Sequence, residues 1–108
     1  MANSFKNYGS AAVGTSTTVV YTANTGVQAT IIGMSVANIL NNSITANVIV
    51  SISNSNFYMV KNAQVDPGSA LIPIGGGQKL VLEAGDSISV NTNTVSSVDV
   101  ILSLLEIS

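Results

Sequence analysis

The sequence predicts an all-β fold, an antiparallel β-sandwich of jelly-roll type with about eight strands and an N-terminal arm. Apolar residues recur with a period of two, as they do on one face of a pleated strand. Turn residues interrupt these segments roughly every 8 to 12 residues, a spacing typical of small sandwiches and barrels. No stretch combines a helical period with helix caps, so we expect helix to be nearly absent.

Residues 1–15 are small and polar, and the aromatic residues Phe5 and Tyr8 lie among them. We assign 1–15 to an N-terminal arm and 16–108 to a single sandwich domain. Two interpretations of the arm stay open. It is either a frayed terminus or a segment whose Phe5 and Tyr8 anchor on a neighbouring subunit.

The first half of the domain contains four predicted strands. Residues 17–22 form a short β-branched strand that ends at a turn with Asn and Gly. Residues 27–40 contain Gly33, which indicates a bulge or a kink. Residues 44–52 alternate between apolar and polar side chains, so their even-numbered face is expected to point to the core. Residues 57–61 return as the partner of that strand in a hairpin.

Three aromatic residues in this half bear on function. Phe57 and Tyr58 are neighbours in a strand and therefore face opposite sides, so one set is core and the other an interface or ligand surface. We name Tyr21 and Tyr58, together with Phe5 and Tyr8, as candidate interface residues. An exposed aromatic patch around Tyr58 or Tyr21 that binds a glycan is the alternative.

The second half begins with a loop and a weak strand. Residues 64–69 contain an Asp-Pro-Gly turn, and residues 71–74 contain Pro73, which restricts them to a short or edge strand. Residues 75–77 are three glycines and predict a flexible loop.

Two strands follow around a turn at 83–86, where Gly85 fits the position that requires a positive φ. The last strand, 98–107, is apolar on both faces, which predicts burial on both sides.

The composition excludes several function classes. The chain has no Cys or His, which excludes disulfides, thiolate metal sites and the histidine metal site of cupin-like enzymes. Three lysines against five acidic residues make no nucleic-acid footprint. Apolar runs end well short of the ~20 residues of a membrane span, and no signal-peptide pattern is visible, so synthesis in a cytoplasm is expected.

Two motifs could suggest catalysis. Gly75, Gly76 and Gly77 precede Gln78 and Lys79, but a phosphate-binding loop needs Gly-Lys-Ser/Thr before a helix, and here a strand follows. The acidic residues Glu83, Asp86, Asp99 and Glu106 could form a carboxylate pair, yet the first two flank a turn and no Trp is present for sugar stacking. We therefore predict no enzyme, and assign no catalytic, cofactor-binding or metal-binding residue.

The balance of charge and hydrophobicity points to assembly. Only 7% of the residues are charged, whereas 46% are hydrophobic. A monomer with a net charge of −2 gains little solubility from charge, so much of its surface is expected to be covered by neighbours. We expect a homo-oligomer, with a trimer as the preferred form.

Several segments carry a family resemblance, which spans the chain from about Tyr21 to Glu106. They are Val60-Lys61-Asn62-Ala63, Asp66-Pro67-Gly68-Ser69, the stretch 75–88, Ser96-Ser97-Val98-Asp99 and Leu104-Leu105-Glu106. In these segments the chain resembles small β-sandwich structural proteins of tailed-bacteriophage virions, particularly of aquatic and cyanobacterial hosts. The resemblance implies a building block of the particle and brings no catalytic residue with it.

The resemblance implies a capsid decoration, or cement, protein that is located in the virion and bridges subunits of the major capsid protein. The first alternative is a neck, tail, baseplate or fibre component. A virion-displayed module that binds a glycan or a receptor is the alternative from another class. No nucleic acid, membrane or cofactor is expected as a partner.

Overall fold

The structure is a computed structural model that describes residues 2–75 and 77–108, and these residues form nine strands and no helix. In chain order the strands are β1 (Asn3–Val13), β2 (Thr18–Thr22), β3 (Gln28–Asn38), β4 (Ile44–Ile52), β5 (Ser55–Val65), β6 (Ala70–Ile74), β7 (Leu80–Leu82), β8 (Ser87–Thr92) and β9 (Val98–Ile107). All pairings are antiparallel.

The strands pair as a nested series: β1 with β9, β2 with β8, β3 with β6 and β7, and β4 with β5. Pairings of β3 with β9 and of β4 with β8 complete two sheets. The five-stranded sheet has the order β1-β9-β3-β6, with β7 also on β3, and the four-stranded sheet has the order β2-β8-β4-β5. With β6 and β7 counted as one interrupted strand, this is the predicted jelly roll.

The interruption between β6 and β7 explains why nine strands form where about eight were predicted. It contains a tight turn in which the Gln78 N–H donates to the Gly75 carbonyl (N···O 3.1 Å). The predicted flexible loop 75–77 includes Gly76, which lies outside the described residues.

The core fills the space between the two sheets, and the period-two pattern supplies it. On β4 the even-numbered side chains from Ile44 to Val50 are at most 4% exposed, which confirms the predicted inward face over these residues. Ile52, at the end of the strand, is 40% exposed and does not join the core. On β9 the even-numbered positions from Val98 to Leu104 are at most 1% exposed. Full burial of one such aliphatic side chain contributes about 1.5–3 kcal/mol.

Three local predictions are confirmed. The register of β3 against β9 shifts between Ile31 and Gly33, which is the expected bulge. Pro73 lies in β6, an edge strand that pairs with β3 alone. Gly85 has a φ of 90° in a turn that the Asp86 N–H closes on the Glu83 carbonyl (N···O 2.9 Å).

The N-terminal segment and the last strand differ from their predictions. Within the segment 1–15 assigned to an arm, Asn3–Val13 pairs along β9 as an edge strand of the sandwich, because its backbone continues the hydrogen-bonded ladder. The prediction that the last strand is buried on both sides is wrong. Ile101 is 59% exposed, since no layer packs on the outer face of this sheet within the chain.

The aromatic pair in β5 contributes no ring to the core, whereas one of the two was expected there. Phe57 and Tyr58 are both exposed, at 54% and 55%, whereas Met59 and Val60 are half-buried against the core. The register shifts between Val48 and the next residue of β4, so the pairing skips Met59. Phe57 is the register partner of the inward-facing Val50, and Tyr58 is the partner of Ile49, so the two rings lie on opposite faces of β5 as predicted, and the inner side is left uncovered at Phe57.

Candidate interaction surfaces

The four candidate interface residues lie in three different environments. Phe5 is 78% exposed on the outer face of the five-stranded sheet, and Tyr58 is exposed on β5. Tyr8 is half-buried and packs against the core. Tyr21 is 4% exposed, so its assignment to an interface or a glycan-binding patch is wrong. Its ring lies 4.9 Å from the Tyr8 ring, and burying these two rings helps to close this side of the sandwich.

A partly buried polar cluster fastens β1 and β2 to the last strand. The Tyr21 hydroxyl donates to the Glu106 Oε2 atom (O···O 2.6 Å), and the Lys6 Nζ atom lies 2.9 Å from the Glu106 Oε1 atom. Glu106 is 9% exposed, so both of its carboxylate oxygens are satisfied within the fold. The cluster joins one strand of the four-stranded sheet to two strands of the other sheet.

Hydrogen bonding sets the ionisation of this cluster. The Tyr21 hydroxyl, followed by the Lys6 ammonium, lowers the pKa of the Glu106 carboxyl below its ordinary value. Hydrogen bonding to Glu106 raises the pKa of Lys6. Burial, followed by the hydrogen bond to Glu106, raises the pKa of Tyr21. At neutral pH the cluster is therefore a carboxylate held between an ammonium and a neutral phenol.

This arrangement is suited to holding strands together, because each charge already has its partner inside the fold. Among the described residues, no group of three or more His, Cys, Asp or Glu side chains could hold a metal ion. The described residues also contain no helix of the length and apolarity that crossing a bilayer requires.

The outer face of the five-stranded sheet carries an exposed apolar row. Phe5, Leu105, Thr30 and Val81 lie side by side on β1, β9, β3 and β7, because each is the register partner of the next. Phe5 and Val81, at its two ends, are 78% and 50% exposed. Cross-strand neighbours of this kind present one continuous surface. We call this surface the outer face, and it also includes Ile101.

Two shallow depressions lie along β1 and β9, from the Phe5 row toward Ser10 and Val100. One has a volume of ≈ 250 Å³ and includes Phe5, Ile32 and Ser103 in its lining. The other has a volume of ≈ 300 Å³ and includes Gly9 and Ile101. Both are open to solvent, so this face could receive side chains of a partner.

The outer face is almost free of charge. Within the strands of this sheet, all of them described, Asp99 is the one ionisable residue whose side chain points outward. Its Oδ1 atom accepts a hydrogen bond from the Ala12 N–H (N···O 2.9 Å), so the carboxylate also serves the bulge near the end of β1. An uncharged apolar face has a low desolvation cost when another surface covers it.

The outer face of the four-stranded sheet is more polar. A row of hydrogen bonds crosses it: Asn91 donates to Thr17 Oγ1 (2.8 Å), Asn47 donates to Asn91 Oδ1 (2.7 Å), and the Asn62 N–H donates to Asn47 Oδ1 (2.8 Å). These side chains satisfy one another without charge. The row therefore rigidifies the sheet and leaves little free hydrogen-bonding capacity for a ligand at Asn47.

Tyr58 lies on the same face, beside the polar row. The Lys61 Nζ atom is 4.9 Å from the centroid of its ring, within the range of a cation–π contact. On this face Tyr58 is thus an exposed aromatic residue. Phe57 is exposed on the opposite side of β5, and Tyr21 belongs to the interior.

Comparisons with known proteins support the fold. No family model matches the chain, and no curated protein matches its sequence. Among solved structures, the chain is similar to a protein described in the words "Bacillus endospore appendages form a novel family of disulfide-linked pili". The alignment covers 99% of this chain and 85% of that one, with a TM-score of 0.51 and 9% sequence identity. At this identity the likeness shows the fold alone.

Sequence reasoning missed the residues of both polar networks. In the first network, Lys6 and Glu106 are charged residues in segments otherwise poor in charge. In the second, Asn47 lies at an outward position of a predicted strand, and Asn91 lies at the end of another. An ionisable residue at an inward position, as Glu106 is on β9, is a signal that it needs a buried partner. Which partner it finds depends on the packing of the two sheets.

Proposed function

We propose that this chain is a structural subunit of a bacteriophage particle, and that it binds the capsid shell as a decoration protein. The observation that carries the proposal is the outer face, which is almost free of charge and exposes Phe5 on its edge strand β1 and Ile101 on β9. The resemblance to small virion proteins supplies the biological setting. The low charge of the chain supports an assembled role rather than a freely diffusing one.

The proposed mechanism is mechanical. A decoration protein that binds the assembled shell, and not its separated subunits, stabilises the shell by mass action. The outer face would cover the junction between subunits of the major capsid protein, where burial of apolar side chains supplies the binding free energy. No catalytic residue is needed for this role.

The oligomer in this proposal is a homo-oligomer, and the expected trimer stays a prediction. A closed trimer requires two different surfaces of the chain to meet, whereas a dimer requires one surface that pairs with itself. A trimer therefore needs two complementary surfaces on each chain, whereas a dimer needs one self-complementary surface.

The experiment that tests the proposal is the copy number of the chain in purified particles of the phage that encodes it, measured by quantitative mass spectrometry. A number comparable with that of the major capsid protein supports decoration. A few copies per particle supports a neck, tail, baseplate or fibre part instead, and absence from the particle refutes the proposal.

A pair of variants tests the role of the outer face. Ile101→Asp places a carboxylate on this face, while Val19→Asp places one at a similarly exposed position, 59% against 56%, on the other sheet. We expect Ile101→Asp to lose binding to shells that lack the protein and Val19→Asp to retain it. Equal binding by the two variants would show that the face is not the contact surface.

A fibre subunit is the second candidate function. The likeness to a pilus protein favours it, since that protein assembles into pili. The disulfide linkage of those pili cannot be transferred, because this chain has no cysteine. Electron microscopy of the concentrated protein separates the candidates: filaments favour the fibre role, and discrete oligomers favour decoration.

A further inference from the structure

The free edge of β1 is a regular strand edge without a partner in the chain. Ala2 and Ser108 exchange two backbone hydrogen bonds (N···O 2.7 and 3.0 Å), which fixes them as a hydrogen-bonded pair of the β1–β9 ladder. The ladder then continues without a register shift from Asn3 to Ser10. Antiparallel pairs alternate between bonded and non-bonded, so every second residue of β1 turns its backbone groups away from β9.

The residues that direct their N–H and C=O groups to this free edge are Asn3, Phe5, Asn7 and Gly9. All four are exposed, and no hydrogen bond to these groups is found within the described part of the chain. None of the four is charged or is a proline. Lys6 points to the opposite side of the strand and is paired with Glu106. Because Lys6 is paired within the fold, this edge lacks the proline, the register shift and the unpaired charge that usually prevent strand addition.

The other sheet edges carry such devices. β6 contains Pro73, and β7 is three residues long. β2 has five residues and a register shift between Val19 and Tyr21. β5 has two register shifts, the charged Lys61 and a left-handed Asn62 (φ 54°). Short length, proline, charge and bulges each oppose regular pairing with a new strand.

We propose that β1 pairs antiparallel with β1 of a second copy of this chain, so that one sheet continues across a two-fold dimer. The inference rests on the proposed structural function, names the surface through which copies meet, and gives a dimer in place of the expected trimer. A second copy fits because its β1 offers the same regular edge, whose one charged side chain is already paired with Glu106. Two-fold symmetry follows because the edge pairs with itself, while a ring would need a second unprotected edge.

One register uses all the free backbone groups of both copies. It places Phe5 opposite Asn7 and Asn3 opposite Gly9, which makes every outward-facing residue a hydrogen-bonded pair. The two Lys6 residues then face each other across the two-fold axis, and each ammonium stays 2.9 Å from Glu106 of its own copy, which limits their mutual repulsion. The two Phe5 side chains are then diagonal neighbours on the same face, within reach of each other. The outer faces of the two copies become continuous, which doubles the surface available to a shell.

The test compares two variants at Asn7 by sedimentation velocity across a concentration series. Asn7→Pro removes the outward N–H and leaves the β1–β9 ladder intact, while Asn7→Thr keeps the N–H and favours a strand. Each dimer loses two hydrogen bonds in Asn7→Pro, so we expect its dissociation constant to rise at least about tenfold. Asn7→Thr should dimerise like the wild type.

Amide exchange measured by NMR gives a second readout that needs no variant. The N–H groups of Phe5 and Asn7 should be protected at concentrations where the dimer forms and should exchange rapidly at low concentration. A monomeric or trimeric wild type, an Asn7→Pro variant that folds and dimerises normally, or unprotected edge amides in the dimer would each overturn the inference. None of these results bears on copy number in the particle, so the proposed function is tested separately.

Discussion

Replacing Tyr21 by Phe tests the conclusion that this tyrosine is a structural residue and not part of an interface. The variant keeps the ring, which is 4% exposed, and removes the hydroxyl that donates to Glu106 over 2.6 Å. Packing against the Tyr8 ring is unchanged by this substitution. The experiment therefore isolates one hydrogen bond to a charged group.

The expected loss in the free energy of unfolding is about 1.5–3 kcal/mol, the usual range for a hydrogen bond to a charged group. For a domain of about this size, a loss of that order lowers Tm by roughly 10 °C. The Lys6 ammonium remains 2.9 Å from Glu106 in the variant and holds the carboxylate ionised, so the loss should not exceed this range.

The effect should depend on pH. Because the pKa of Glu106 is lowered in the folded chain, its contribution is present above its ordinary value of 4.5 and is lost as the pH falls through the folded value. The difference between wild type and Tyr21→Phe should therefore narrow in acid, where the protonated carboxyl accepts a weaker hydrogen bond.

The assay is urea unfolding followed by circular dichroism at pH 7 and at several pH values below 4.5. Tyr58→Phe is the matched control, since Tyr58 is 55% exposed and no hydrogen bond of its hydroxyl is found in the described structure. It should change stability by less than about 0.5 kcal/mol. If Tyr21→Phe behaves like this control at pH 7, the reasoning about the polar cluster is wrong.

Three further substitutions address the core, the turn and the polar row. Leu104 is 0% exposed, so Leu104→Ala should lower the free energy of unfolding by about 2.7–5 kcal/mol. Ile101→Ala, on the exposed face of the same strand, should lower it far less. Equal losses of stability in thermal unfolding would contradict the assigned faces. Gly85→Ala places a Cβ on a residue with a φ of 90° and should lower the free energy of unfolding by about 1–2 kcal/mol. A Cβ added at Gly77 meets open space, so Gly77→Ala should leave stability nearly unchanged in the same assay. Asn47→Ala removes two hydrogen bonds of the polar row and should cost about 1–2 kcal/mol in urea unfolding, so an unchanged midpoint would refute its structural role.

The local elements could be predicted because their causes lie close together in the chain. The alternation of 44–50 specifies an inward face, and Gly85 specifies a turn that most residues with a Cβ would strain. The sandwich architecture was also within reach, since turn signals at short intervals favour a small sandwich. Phe57 and Tyr58 face opposite sides of β5, as alternation predicts, but packing leaves the inner side uncovered at Phe57, so both rings are exposed.

The candidate site was only partly predictable. Phe5 and Tyr58 are exposed, as an interface requires. Tyr21 and Phe57 are both aromatic residues of predicted strands, yet Tyr21 is buried and Phe57 is exposed. Aromatic residues serve both cores and interfaces, so composition alone does not separate the two uses. The separation depends on which side of its strand each residue occupies and on what packs there.

By itself the sequence determined the all-β class, the turns and the inward face of the regular strands, because side-chain alternation and turn chemistry act over a few residues. Tertiary structure alone decided that residues 3–13 form an edge strand, since that requires pairing with β9 at the far end of the chain. It also decided that Tyr21 meets Glu106 across 85 positions and that Ile101 faces solvent. Long-range pairing and the absence of a covering layer are properties of the packed sheets, and no local pattern encodes them.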